Sequence, residues 1–232
     1  MRIQGLQRLT LLDFPERTAC TVFTAGCNFR CPFCHNASLV VDIPTEADVS
    51  EEEFFSFLKK RQGILDGVCV SGGEPLLQPG IVEFIRKIKE LGYAVKLDTN
   101  GSFPDKLKDL VGKGLVDYVA MDIKSGCSSY SSCCGCDIPM DSILESIALL
   151  KEHPIPYEFR TTVVSELHSE EDMLEIGNMI QGASKYFLQS FVASEQVPTE
   201  NFHAPSMETL MGYQRLLKPF VPDTFIRGQE SI

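Results

Sequence analysis

Six short apolar runs rich in β-branched and aromatic residues alternate with segments of helical period, and that alternation limits the fold more than any other feature of the chain. The runs are Ala19 to Thr24, Gly67 to Ser71, Ala94 to Thr99, Tyr118 to Ile123, Tyr157 to Val164 and Tyr186 to Val192. Between them, Glu51 to Lys60, Gly80 to Leu91, Pro104 to Gly114, Asp141 to Glu152 and Ser169 to Gln181 read as helices. Ile143, Leu144, Ile147 and Leu150 trace one apolar helical face, which is core. Strand and helix in turn predict βα units on a parallel sheet. A closed eight-stranded barrel takes roughly 250 residues, so six units in about 200 predict an α/β fold with an open (β/α)6 partial barrel.

At 232 residues and 44% hydrophobic content, the chain suffices for one domain with a sizeable core. The expected organisation is a single domain over 1–232, with a core from about residue 17 to 195 and a C-terminal extension over 196–232 that could contribute a lid. The net charge of −11 and the lack of a dense basic run argue against nucleic acid as a partner. Met1 to Phe14 carries Arg2, Arg8 and Asp13 and no apolar stretch suited to a signal peptide or membrane span, so the expected location is cytoplasmic, with no membrane partner. Nine cysteines, an odd number without export signals, point to thiol or metal chemistry more than to a disulfide framework.

Cys27, Cys31 and Cys34 stand in the spacing Cys-x3-Cys-x2-Cys directly after the first apolar run, with no fourth cysteine nearby. A cubane iron-sulfur cluster normally takes four thiolates, so a three-thiolate loop leaves one iron open to a substrate or cofactor. A zinc loop completed by His35 or a distant residue is the plainer alternative. The second motif, Ser71-Gly72-Gly73-Glu74-Pro75, ends the run Val68-Cys69-Val70. Its glycines would let the backbone approach a ligand closely, and Glu74 offers a carboxylate. An ordinary Gly-Gly turn before a proline-started helix would look the same.

Ligand-binding groups in parallel βα architectures gather at the carboxyl ends of strands. Those ends carry Asp98, Thr99 and Asn100 in one case, Asp122 and Lys124 in the next, and Arg160 in the fifth run. Asp98, Thr99 and Asn100 can serve a ribose or a cation, or simply cap a turn. Lys124 and Arg160 can pair with a ligand carboxylate, or form plain salt bridges. Cys127, Cys133, Cys134 and Cys136 raise a second four-thiolate site, set against a serine-rich surface loop with incidental thiols. Cys20 and Cys69 lie inside strand runs and read as small buried hydrophobes. His35 reads as a tuner of the cluster or a loop-packing residue, and His153, His168 and His203 as surface or structural.

The cysteine loop, with Phe33 as the aromatic before its last cysteine, resembles that of the radical S-adenosylmethionine superfamily, and Gly72 to Pro75 resembles that superfamily's Gly-Gly-Glu-Pro element. Further motifs narrow this: Gly5-Leu6-Gln7-Arg8, Leu12-Asp13-Phe14-Pro15, Cys31-Pro32-Phe33-Cys34-His35-Asn36, Asp98-Thr99-Asn100-Gly101 and Met121-Asp122-Ile123-Lys124. Over about residues 3 to 228 the chain is similar to the activating proteins of anaerobic ribonucleoside-triphosphate reductase. The Asp-Thr-Asn-Gly and Asp-x-Lys elements are also similar to pyruvate formate-lyase activating enzymes. The segment from Gly126 to Cys136 departs from the pattern, since relatives carry a charged, cysteine-poor stretch there.

The resemblance implies the same open (β/α)6 partial TIM barrel. It implies a [4Fe-4S] cluster on Cys27, Cys31 and Cys34, whose open iron is chelated by S-adenosyl-L-methionine. The cofactor pocket it implies comprises Phe33, Gly72, Gly73, Glu74, Asp98, Thr99, Asn100, Asp122, Lys124 and Arg160. Asp98, Thr99 and Asp122 match positions that hold a monovalent cation. An electron from a flavodoxin or ferredoxin would cleave the cofactor reductively, and the 5′-deoxyadenosyl radical would take hydrogen from a glycine of a partner glycyl radical enzyme. No catalytic residue beyond the cluster-bound cofactor is implied. Alternatives are activation of another glycyl radical enzyme, radical chemistry on a small molecule, and a catalytically silent metal-binding adaptor.

Overall fold

A computed structural model of the chain describes residues 1–41, 43 and 46–228. Its elements are β1 (Ile3–Thr10), β2 (Ala19–Thr24), α1 (Glu51–Lys60), β3 (Gly67–Gly72), α2 (Ile81–Glu90), β4 (Ala94–Thr99), α3 (Pro104–Gly112) and β5 (Tyr118–Asp122). They continue with α4 (Tyr130–Cys134), α5 (Met140–Glu152), β6 (Tyr157–Val163), α6 (Glu170–Met179), β7 (Tyr186–Ser190), α7 (Met207–Leu217) and β8 (Thr224–Arg227). The strands follow chain order from β1 to β8 in one eight-stranded sheet. The fold is the expected α/β open partial barrel.

All six expected strands are present, as β2 to β7, and all five expected helices. Two strands and two helices were not expected. In β1, Gly5 and the exposed Gln7, Arg8 and Leu9 blur the alternation, and β8 is only four residues long. The expected C-terminal extension thus contains regular structure, α7 and β8, while its last four residues, 229–232, lie outside the described ones. The serine-rich segment expected as a surface loop instead forms α4, with Tyr130, Cys133 and Cys134 buried.

Contacts divide the chain into two compact units. The first comprises Met1–Asn28, Ser38–Thr99 and Asp105–Ala120; the second comprises Phe29–Ala37, Asn100–Pro104 and Met121–Ile232. In the first unit β1 runs antiparallel to β2, and β2, β3 and β4 are parallel. Val68, Val70, Val95 and Leu97 are fully buried, as are Phe54, Leu58 and Ile85 of the helices. The Phe54 and Phe84 rings stack at 5.2 Å. Cys20 and Cys69 are fully buried, as expected of strand-interior thiols. Ser50 and Glu53 start α1 with reciprocal side-chain-to-backbone hydrogen bonds, which fixes where the chain turns helical.

In the second unit β6, β7 and β8 are parallel. Phe159, Val163 and Leu188 of the strands and Ile143, Leu150, Met173, Ile176 and Leu210 of the helices are fully buried. Ser169 and Asp172 start α6 as Ser50 and Glu53 start α1. Of the four residues predicted to trace the α5 face, Leu144 is instead 39% exposed, since it lies off the stripe that Ile143, Ile147 and Leu150 complete. Among the described residues, no helix is long and apolar enough to cross a membrane.

Candidate active site

In the first unit, the loop after β2 and the loop after β3 are bound to each other by backbone. Gly73 N donates to Thr24 O at 3.0 Å and Glu74 N donates to Gly26 O at 2.8 Å. The reason for two glycines is steric. A Cβ on Gly72 (φ +126°) would sit 2.2 Å from Thr24 N, and one on Gly73 would sit 2.0 Å from Gly26 O and 3.2 Å from Cys27 N. The glycine pair therefore seats the start of the cysteine loop against the end of β3. Among the described residues, the Thr24 hydroxyl is buried there without a hydrogen-bond partner.

Glu74 is fully buried, and its Oε1 accepts from Leu76 N at 3.0 Å and from the Thr99 hydroxyl at 2.9 Å. It caps the short 3-10 turn Pro75–Leu77. Beside it, Asp98 accepts from the Ser71 hydroxyl at 3.1 Å and forms an ion pair with the Lys96 ammonium. Lys96 is 2% exposed. Sequence reading missed this lysine, although the signal was present: a cation in the middle of an apolar strand, two residues before an acid, shares its face.

In the second unit, Asp122 accepts from Arg160 Nε at 2.8 Å and from Lys124 Nζ at 3.1 Å. Burial alone would raise the Asp122 carboxyl, but the Arg160 and Lys124 cations outweigh it and hold the group well below the usual carboxylate range. Burial likewise works against the Lys124 ammonium, and Asp122 more than reverses that, so the lysine stays charged. The Asn100 Oδ1 accepts from Ser102 N at 3.0 Å and from the Ser102 hydroxyl at 2.6 Å, which turns the chain after β4.

Also in the second unit, Cys31 and Cys34 bracket a turn in which Cys34 N donates to Cys31 O at 3.2 Å. Phe33 is buried in a cluster with Cys133, Val164 and Phe191, with its ring edge-on to His168 at 6.3 Å. Burial pushes the Cys31 thiol up to about 12, with Lys124 pulling the other way. His35 Nε2 bonds the Val192 carbonyl at 2.7 Å and its ring lies against Phe191, a loop-packing role. His168 Nε2 donates to the Lys124 carbonyl at 2.9 Å and its Nδ1 accepts from Val164 N at 3.1 Å, a structural role. Of the four later cysteines, Cys134 and Cys136 meet with their sulfurs 3.7 Å apart, while Cys133 turns away and donates to Leu167 O at 3.7 Å. Among the described residues, no three His, Cys, Asp or Glu side chains converge as ligands of a single metal ion.

Residues 21–180 match the Radical SAM superfamily. The chain belongs to that superfamily. Across 232 residues this radical SAM protein is 30% identical to a candidate glycyl-radical enzyme activating enzyme of Methanocaldococcus jannaschii, a match covering 97% of this chain and 95% of the relative. It is 32% identical over 129 residues to the pyruvate formate-lyase-activating enzyme of Clostridium pasteurianum, which spans 53% of this chain and 52% of that enzyme. Among solved structures, the fold is similar to Streptococcus suis SuiB bound to S-adenosylmethionine, with a TM-score of 0.70, 12% identity, and coverage of 89% of this chain and 49% of that one.

The residues of this radical SAM protein suit the [4Fe-4S] cluster that the superfamily implies. A cubane gives each thiolate a different iron, so its ligands need not converge as zinc ligands do. The half-buried Cys31 thiol, pushed up by desolvation, gives up its proton when a metal's charge replaces it.

Proposed function

We propose that the protein is an activase of a glycyl radical enzyme, with anaerobic ribonucleoside-triphosphate reductase as the partner. What carries the reading is similarity to the M. jannaschii relative over nearly the whole of both chains, 97% of this one and 95% of that one. Cys27, Cys31 and Cys34 would hold the cluster. When bound, the cluster supplies the electron that cleaves S-adenosyl-L-methionine, and hydrogen abstraction from a partner glycine follows from that cleavage. A flavodoxin or ferredoxin is the proposed donor.

The chain's own residues place and shield. Leu76 N and the Thr99 hydroxyl lock the Glu74 carboxylate in one rotamer, beside backbone that can accept from the cofactor's ammonium. Gly72 and Gly73 keep the cysteine loop pinned to β3. Arg160 and Lys124 hold Asp122 ionised, which leaves two donors and one acceptor ordered for a carboxylate or ribose. Phe33, seated in the core, fixes the turn between Cys31 and Cys34. No general base is needed, because the hydrogen moves as an atom.

The test is anaerobic reconstitution, reduction with dithionite, and chromatography for 5′-deoxyadenosine, followed by electron paramagnetic resonance of candidate partners. Nucleoside product with a glycyl radical on the reductase supports the proposal. A radical on pyruvate formate-lyase instead moves the partner assignment. Product with no protein radical on any partner replaces the activase with an enzyme of small molecules, and no product despite an intact cluster favours the adaptor.

A further inference from the structure

We propose that Lys96 is a positioning residue that takes the place of the monovalent cation, so that the protein supplies that positive charge itself; this rests on the activase reading above. Strand β4 reads Ala94-Val95-Lys96-Leu97-Asp98-Thr99, and its period of two sets Lys96 and Asp98 on the face opposite the buried Val95 and Leu97. Parallel pairing places Cys69 opposite Lys96, and Nζ lies 3.9 Å from its sulfur. The ammonium is drawn past that thiol to the Asp98 carboxylate, whose second oxygen accepts from Ser71 at 3.1 Å. A lysine 2% exposed needs an anion beside it, and Asp98 is that anion.

Three side chains are implied as cation ligands, and both carboxylates among them are already paired with cations of the chain. Asp98 is neutralised by Lys96, and Asp122 is bridged by Arg160 and Lys124. A potassium ion arriving at Asp98 would have to displace a tethered ammonium or lie next to it in a poorly screened interior, where like charges repel strongly. The tethered cation has the further property that its occupancy does not depend on the salt in the cell.

The experiment compares wild type with Lys96→Met, which keeps the side chain's length and removes its charge. The metal-free proteins are melted in potassium chloride and in tetramethylammonium chloride at equal ionic strength. The expected result is no difference for wild type, and for the variant a potassium-specific recovery of about 3 °C or more. In the reconstituted enzymes, cofactor cleavage by the variant should fall at least tenfold in tetramethylammonium and recover with potassium, a rescue that a purely structural lysine would not show. Potassium-specific stabilisation of wild type, or a variant indifferent to potassium, overturns the inference. If Lys96→Met does not fold, wild type and Lys96→Arg decide it, and potassium-specific stabilisation of either is fatal. Failure of wild type to cleave S-adenosylmethionine would sink the activase reading while the melting comparison still stands.

Discussion

Two stretches of this chain are dense in cysteine, and they use the same side chain in opposite ways. From Cys27 to Cys34 the backbone is irregular apart from a turn at Pro32 and Phe33, all three cysteines are half-buried, and the spacing keeps each on its own part of the loop. From Cys127 to Cys136 the chain coils into α4, which buries Cys133 and Cys134 and turns their thiols to backbone carbonyls. The second stretch nonetheless serves the first. Arg30 N donates to Cys134 O at 2.8 Å, and a Cβ on Gly135 (φ +68°) would lie 2.1 Å from Arg30 O, so this cap is fitted against the residue that precedes Cys31. The difference teaches that thiol density does not make a metal site. Backbone conformation decides whether thiols are presented or packed.

The largest effect that could break this contrast is loss of a presented thiol. Cys31→Ala should remove the visible cluster absorption and lower cofactor cleavage by on the order of a hundredfold or more, with circular dichroism unchanged. Cys134→Ala should keep its iron and show only a modest fall in melting temperature. Equal iron loss in both, measured by chelator assay after reconstitution, would erase the distinction. Next come the glycines that seat the loop. Gly73→Ala must push Gly26 and Cys27 away, and Gly135→Ala must push Arg30 away while straining a left-handed turn, so each should cost about 2–3 kcal/mol in urea unfolding and lower iron occupancy. Full occupancy in both would show that the loop is set by something other than these seats.

Glu74→Gln separates cofactor from cluster within the presented half. The amide oxygen can still accept from Leu76 N and Thr99, so the fold and the iron should survive. Removing the charge should weaken S-adenosylmethionine binding about tenfold, read by calorimetry on the reconstituted protein. Iron loss as large as the affinity loss would make Glu74 part of the loop's scaffold alone.

Much of this was legible in the sequence, for definite reasons. Strands β2, β3 and β5 announce themselves because a parallel strand buried on both faces reads as a nearly continuous apolar run, and β4, β6 and β7 because β-branched and aromatic residues dominate between their polar ones. Strand β1 does not, since Gln7, Arg8 and Leu9 face solvent and its hydrophobic pattern is broken. The cysteine triplet is a local spacing and needs no tertiary knowledge to find. The job of Gly72 and Gly73 was hidden, because the atoms they must avoid, in Thr24 and Gly26, are nearly fifty residues away in the chain. Lys124 and Arg160 were visible as cations, but that both converge on Asp122 depends on the end of β5 lying beside the middle of β6. Lys96 was overlooked because a lysine in a strand reads by default as a surface residue, and only burial shows that its partner is its own strand's Asp98.

The smallest predicted effect tests whether a thiol outside both stretches is a plain hydrophobe. Cys20 is fully buried in β2, and burial pushes its thiol up to about 12, well above the roughly 8.5 of an exposed cysteine. The folded chain therefore holds the Cys20 proton more tightly than the unfolded chain does. Its contribution to stability is complete below the unfolded value and is lost as pH rises from there toward 12, at up to about 1.4 kcal/mol per pH unit. Cys20→Ala abolishes that component. In urea unfolding of the metal-free protein between pH 8 and pH 10.5, wild type should lose stability more steeply than the variant. Below pH 8 the two curves should run parallel, offset by the cost of the missing sulfur. Equal slopes throughout would mean that Cys20 ionises as freely in the folded chain as in the unfolded one, and that its strand opens to solvent well before the protein unfolds.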